Sequence, residues 1–256
     1  MIDPSFRARL KAGEPLLGAF VNIESPTAVE VLAVAGMDFL MIDGEHAPIG
    51  PANAVEMVRA AEARRISILA RGGGNTQQVM AKYLDAGVIG TMTPMVSSAA
   101  EARRVVDSVK YPPVGKRGLA GVRINDFVPD PGYVATANEA TVVVVQIETR
   151  TGIDRADEIV ATDGVDVVFL GPSDLSVALG VPGQTKHPSV LETIEALTGK
   201  IVAAGKAAGT VTRSAEDYQY WRKRGVQVFL NSAGALLLGA ASRFLEESRA
   251  AEQTRP

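Results

Sequence analysis

The groups able to do chemistry in this chain collect at the ends of short apolar runs. Asp43-Gly44-Glu45-His46 closes the run at 38–43, and Arg71 ends the run at 66–71. Gln146-Ile147-Glu148-Thr149 closes 141–147, and Gly171-Pro172-Ser173-Asp174-Leu175 follows 165–170. Ordinary loops scatter their charges. Here one histidine, one arginine and two carboxylates recur at equivalent points, which reads as one reactive face.

Glu148 and Asp174 come from neighbouring runs, and two carboxylates held close need a counter-ion or a shared proton. Singly, Asp174 reads as a helix cap. As a pair the two read as ligands of a divalent cation, with water and a chelating substrate completing an octahedron. With only two histidines, His46 and His187, and no cysteine, the expected ion is Mg, Mn or Co, and Zn is disfavoured. Arg71 ends an apolar stretch, and buried arginine is rare unless paired. It is expected to anchor a substrate carboxylate or enolate oxygen, in preference to an ion pair with Asp43 or Glu148. His46 with Asp43 behind it is the arrangement of a general base poised near neutral pH. Glu45 is expected to point elsewhere, and His187 to be a solvated loop residue. A Schiff-base mechanism needs a lysine buried near a strand's end. Lys82, Lys110, Lys116, Lys186, Lys200, Lys206 and Lys223 fall in helices, in loops or at the wrong strand end, so that chemistry is disfavoured.

The elements that must position these groups follow from periodicity. Eight β-rich runs, at 16–22, 38–43, 66–71, 89–95, 141–147, 165–170, 205–211 and 226–231, alternate with helical patterns near 26–36, 51–64, 75–87, 98–109, 152–161, 188–204, 214–224 and 234–250. Most runs are apolar at nearly every position, as parallel strands covered by helices should be. Ser25-Pro26, Gly50-Pro51 and Asn75 are expected helix starts. Eight such repeats are the arithmetic of a TIM (β/α)8 barrel, read as a single domain over 1–256. An open doubly wound sheet would want a GxGxxG turn, and none is present. The segment 110–140, rich in proline and glycine, is read as irregular. It is expected either to serve an oligomer contact or to close over the barrel mouth with Arg117 or Arg123.

Composition excludes several classes. The 256 residues are 46% hydrophobic with a net charge of -3, which argues against disorder and against a nucleic-acid surface. The absence of cysteine excludes disulfides and thiolate nucleophiles. No apolar run reaches membrane-spanning length, and the N-terminal residues lack a signal-peptide pattern, so a soluble cytoplasmic protein is expected.

The stretches FLMIDGEH (39–46), YPPVGKRG (111–118), VQIET (145–149) and VFLGPSDL (168–175) resemble the HpcH/HpaI family of class II aldolases. The resemblance runs from about 14 to 247. It implies a modified TIM barrel, a homohexamer of dimers that exchange their last helices, and cleavage of 4-hydroxy-2-oxo or 2-keto-3-deoxy acids to pyruvate and an aldehyde. It also implies that Glu148 and Asp174 hold the divalent metal, that Arg71 anchors pyruvate, and that His46 with Asp43 forms the base dyad. Asp85 matches a carboxylate that supports this dyad across a subunit contact. The expected substrate contacts are Arg71, Gln146, Gly171, Pro172, Ser173, Asp174 and Val211, with Arg123 and 119–130 at the distal end. The chain departs from the family pattern at Gly72-Gly73-Gly74, at Phe20-Val21-Asn22 and at Thr210-Val211-Thr212, so a relative's aldehyde specificity does not transfer. The competing readings are another metal–enolate lyase, of citryl- or malyl-CoA or a decarboxylase type, and a non-catalytic oligomeric binding protein. A CoA ester would need a basic phosphate site, and no suitable lysine or arginine cluster is present.

Overall fold

The computed structural model describes residues 5–73 and 76–253. The helix start expected at Asn75, with Gly74 before it, lies outside the described residues. In chain order the elements are α1 (Ser5–Lys11), β1 (Leu16–Val21), α2 (Pro26–Val34), β2 (Phe39–Asp43), α3 (Pro51–Arg64), β3 (Ser67–Arg71), α4 (Gln77–Ala86) and β4 (Gly90–Thr93). They continue with α5 (Ala99–Val109), α6 (Pro131–Ala140), β5 (Val142–Ile147), α7 (Arg150–Asp154), α8 (Ala156–Val160), β6 (Val167–Leu170) and α9 (Pro172–Ala178). The last are α10 (Pro188–Ala203), β7 (Ala207–Val211), α11 (Ala215–Arg222), β8 (Val226–Ser232) and α12 (Ala233–Gln253).

The eight strands pair in parallel in sequence order, and β8 closes on β1. This is the TIM barrel expected from the alternation. Strand side chains are buried on both faces, which is why the runs are continuously apolar. Leu16, Phe20, Met41, Leu69, Met92, Val144, Phe169 and Leu230 fill the barrel, while Ala19, Val21, Leu40, Ile42, Val143, Val145 and Leu170 pack outward under the helices. Register then sets the site. Asp43 lies opposite Arg71 at the exits of β2 and β3, and Ile147 lies opposite Leu170 at the exits of β5 and β6.

Several helix starts carry their own caps. The Ser25 hydroxyl accepts from the Ala28 N–H ahead of Pro26, and the Thr76 hydroxyl accepts from the Val79 N–H. The segment 110–140 differs from expectation because Asp130 caps a ten-residue helix, α6, through the N–H groups of Gly132 and Tyr133. Nor does this segment cover the mouth. Arg117 is buried against Asp85 of α4 at 2.8 Å and lies over the Tyr111 ring, while Arg123 pairs with Glu62 of α3 and donates to the Ala86 carbonyl at 3.1 Å. Both partners sit at or near the C-terminal ends of their helices, the end opposite the mouth. The expected contact of Arg123 with distal substrate is therefore corrected within this chain.

Helix α1 was not expected. It plugs the base of the barrel with Phe6, packed on Phe39 at 5.1 Å between ring centroids, and with Leu10. Helix α9 and the break between α7 and α8 at Arg155 are further refinements. Among the described residues no helix is long and apolar enough to cross a membrane.

Candidate active site

The exits of β2 and β3 are locked together. Asp43 Oδ2 meets Arg71 Nη2 at 2.8 Å and Asp43 Oδ1 meets Arg71 Nε at 3.1 Å, a two-point contact between side chains that are 5% and 6% exposed. Asp43 Oδ1 also accepts the backbone N–H groups of Glu45 and His46, each at 3.2 Å, so it shapes the loop that carries them. Arg71 Nη1 lies 3.1 Å from Glu45 Oε2, and the guanidinium carbon stands 4.3 Å from the Phe20 ring centroid.

Three expectations change here. Arg71 does form the ion pair with Asp43. Glu45 does not point away, since it is the second carboxylate on Arg71. The His46 ring is exposed with Nε2 3.7 Å from Glu45 Oε2, while Asp43 is taken up by Arg71 and by loop backbone. The acidic neighbour of the imidazole is thus Glu45. Burial pushes the Glu45 carboxyl above its ordinary value, and Arg71 and His46 pull against that shift.

Across the mouth, Glu148 is 4% exposed. Its Oε1 accepts the Met95 N–H at 2.9 Å, and its Oε2 accepts from the Gln146 side-chain amide. The Gln146 side-chain oxygen, Oε1, is buried with no partner among the described residues. Burial pushes the Glu148 carboxyl up to about 8. Asp174 and Glu45 add to this, while the Met95 N–H and Arg71 oppose it. Gly171 leaves the space between these groups open: a Cβ there would stand 2.8 Å from Gln146 Nε2, 3.0 Å from Glu148 Oε2 and 3.6 Å from Asp174 Oδ2. Both carboxylates therefore face one cradle, and a cation there relieves the same crowding that a proton relieves. Among the described residues no three His, Cys, Asp or Glu side chains gather as a metal cage. The donor set present is two carboxylates, which suits an ion that keeps water or substrate oxygens as its other ligands.

These groups open onto a cavity of about 430 Å³ at the C-terminal ends of the strands. Asp43, His46, Arg71, Gln146, Gly171, Pro172, Ser173, Asp174 and Val211 line it, and Glu148 lies buried behind Gln146. Asp85 does not line it. In this chain Asp85 is on α4 and holds Arg117. Sequence reasoning missed Glu45 and the polar residues at the ends of β1 and β8, Asn22, Asn231 and Ser232, although the strand-exit rule that found the others applies to them equally. Lys110 is also buried, with its ammonium pushed down to about 8 by burial, but it sits at the base and donates to the Asn138 and Thr141 carbonyls. His187 caps α10 through Nδ1, which accepts from the Ser189 N–H at 3.3 Å.

Comparison with known proteins agrees with this architecture. Residues 16–234 match the family described as HpcH/HpaI aldolase/citrate lyase. The chain is 38% identical to a hydroxypyruvate/pyruvate aldolase of Roseovarius nubinhibens, over 93% of this chain and 94% of that enzyme. It is 36% identical to a 4-hydroxy-2-oxovalerate aldolase of Novosphingobium aromaticivorans, over 89% of this chain and 87% of that one. A crystal structure of an HpcH/HpaI aldolase/citrate lyase family protein from Burkholderia cenocepacia superposes with a TM-score of 0.92 at 33% identity, covering 96% of this chain and all of the other. With a barrel and a carboxylate cradle of the kind its strand exits require, the chain belongs to the HpcH/HpaI aldolase/citrate lyase family.

Proposed function

We propose that this protein is a class II pyruvate aldolase, a carbon–carbon lyase. It cleaves a 4-hydroxy-2-oxo (2-keto-3-deoxy) acid reversibly to pyruvate and an aldehyde. The observation that carries the reading is the cradle at Gly171, where Glu148 and Asp174 converge beside Gln146 Oε1, which has no partner among the described residues, across the mouth from Arg71. The relatives named as aldolases support it.

Glu148 and Asp174 are the residues to hold a divalent cation, Mg, Mn or Co. When bound, such an ion supplies Lewis-acid polarisation of a 2-oxo acid's oxygens. Arg71 stabilises negative charge growing on the keto oxygen. Its guanidinium stays protonated, and Asp43, Glu45 and the Phe20 ring hold it in place before substrate arrives. His46 takes the proton of the 4-hydroxyl, with Glu45 stabilising the imidazolium formed. Asp43 positions both by bonding Arg71 and the loop amides. Gly171, Pro172, Ser173 and Val211 complete the wall against which the pyruvyl half rests.

The assembly belongs to the same proposal, a cytoplasmic homohexamer whose last helices exchange. From residue 235 to 252 no residue of α12 is buried, and Leu237, Leu238, Phe244 and Leu245 are exposed. An apolar groove of about 260 Å³, lined by Leu17, Met37, Tyr218, Phe229 and Leu236, is open on the same side of the barrel. A second copy's α12 fits such a groove, and subunit contacts are what would bring Asp85 to another copy's His46 loop.

Proton NMR of pyruvate in D2O tests the function directly. Metal-stripped protein should leave the methyl signal intact, and added Mg or Mn should make it exchange away. No exchange with any divalent ion, even with an aldehyde present, would refute the reading.

A further inference from the structure

The His46 ring is loosely held by its own contacts. Its side chain is 58% exposed, and Nε2 lies 3.7 Å from Glu45 Oε2, longer than a hydrogen bond. The position of the imidazole is therefore set by the backbone of residues 44–49. At the front of this loop the Gly44 N–H donates to the Arg71 carbonyl at 2.9 Å, and Asp43 Oδ1 accepts the Glu45 and His46 N–H groups at 3.2 Å each.

The back of the loop is held from α4. Tyr83 is 2% exposed, and its hydroxyl donates to the Ile49 carbonyl at 2.5 Å. The same phenol oxygen lies against Gly44. A Cβ at Gly44 would collide with it, and would stand 2.9 Å from the Arg71 carbonyl oxygen and 3.0 Å from that of Ile49. One hydroxyl thus touches both ends of a turn that carries Glu45 and His46 between them. Burial, with Asp43 nearby, pushes the Tyr83 hydroxyl above its ordinary value, so it remains a donor through the neutral range. Helix α4 is a firm mount for it, since Met80 Sδ accepts the Thr93 hydroxyl of β4 at 3.1 Å and Leu84 is fully buried.

We infer that Tyr83 is a positioning residue for the proton transfer: its hydroxyl pins Gly44 and Ile49 together and so holds the His46 ring where it meets the substrate's 4-hydroxyl. This rests on the pyruvate-aldolase reading, which supplies the proton that His46 moves. Tyr83 is not among the residues lining the 430 Å³ cavity, so it acts through the loop and not on the substrate. Displacing a reacting group in this way costs rate rather than affinity.

The test uses Tyr83→Phe, which keeps the packed ring and removes only the donor. Two reactions of the Mn-loaded enzyme are compared. Cleavage of 4-hydroxy-2-oxopentanoate gives pyruvate and acetaldehyde and needs the 4-hydroxyl proton removed. Decarboxylation of oxaloacetate releases CO2 and leaves the same pyruvate enolate, with no hydroxyl to deprotonate. In Tyr83→Phe, kcat for cleavage should fall about tenfold, the scale of one lost hydrogen bond, with KM and the decarboxylation rate each within about twofold of wild type. Equal losses in both reactions, or a change in KM alone, would overturn the inference. Phe6→Ala, destabilised at the base of the barrel, should keep the ratio of the two rates and so separates positioning from general loss of stability. Amide deuterium exchange followed by mass spectrometry gives a readout free of turnover. Peptides covering 44–50 should exchange about tenfold faster in Tyr83→Phe, and those covering β5 and β6 at the wild-type rate. If the wild type exchanges the pyruvate methyl but cleavage is indifferent to Tyr83→Phe, the inference alone fails. If the wild type shows neither methyl exchange nor cleavage while the 44–50 amides still depend on Tyr83, the aldolase reading fails and the hold on the loop stands.

Discussion

The two ends of the barrel handle polar groups in opposite ways. At the base, Arg7 of α1 meets Asp166 at 2.8 Å and donates to the Asn138 and Glu139 carbonyls. Lys110 satisfies its ammonium on the Asn138 and Thr141 carbonyls, and Phe6 seals the opening. At the mouth, Asp43 and Glu45 hold one buried guanidinium, Glu148 and Asp174 share one cradle, and Gln146 Oε1 has no partner among the described residues. The same strands and the same packing underlie both ends. Burial acts on both as well, pushing Lys110 down and Glu148 up to about 8 in each case. The base pairs its charged groups within the chain. The mouth leaves bonds to be completed by what binds.

The largest effect should come at the cradle. Glu148→Gln keeps the shape but removes a ligand charge, and metal-dependent turnover should fall by about 10³-fold or more, the scale of several kcal/mol of transition-state stabilisation. The fold should survive by circular dichroism, and near-normal activity would erase the distinction between the two ends. Arg71→Ala comes next. Steady-state kinetics should show kcat lowered by about 10²- to 10³-fold, as for loss of a preorganised charge-stabilising donor. Leaving Asp43 and Glu45 unpaired should also lower unfolding stability by about 3 kcal/mol or more in urea titrations, because a buried pair has been broken. An unchanged kcat with a raised KM would restrict Arg71 to ground-state binding.

Changes at the base should have the converse signature. Phe6→Ala should lower stability by about 3 kcal/mol through the cavity it opens, with kcat within twofold of wild type. The smallest and most specific test is the pH response of Lys110. Its folded value of about 8 lies below the ordinary 10.5, so between these values the unfolded chain binds more protons and wild-type stability rises with pH. That contribution is lost as pH falls through about 8 and amounts to about 3 kcal/mol at most. Urea midpoints from pH 7.5 to 10.5 should show this rise in wild type and its loss in Lys110→Met. A parallel pH response in the two proteins would place the buried lysine's proton balance elsewhere.

The strand exits were legible because barrel strands are covered on both sides. Their runs are therefore continuously apolar, and each first polar residue marks the catalytic end. Asp43, Arg71, Glu148 and Asp174 were found that way. The α6 helix was obscured by the prolines and glycines around it, although Asp130-Pro131 is a capped helix start that the sequence displays plainly. The partners of the charged groups were a different matter. Arg71 faces Asp43 because the β2–β3 register sets them side by side, and Glu45 reaches Arg71 because Asp43 bends the intervening loop.

Sequence alone thus determined the alternation, the barrel and the inventory of groups at its mouth, since these depend on periodicity and residue type within short windows. Only the tertiary structure decided which carboxylate each cation meets and that Arg117 and Arg123 turn away from the mouth. Those outcomes depend on strand register and on loop paths closing over residues far apart in the chain, and ion pairs follow proximity in space rather than order in sequence.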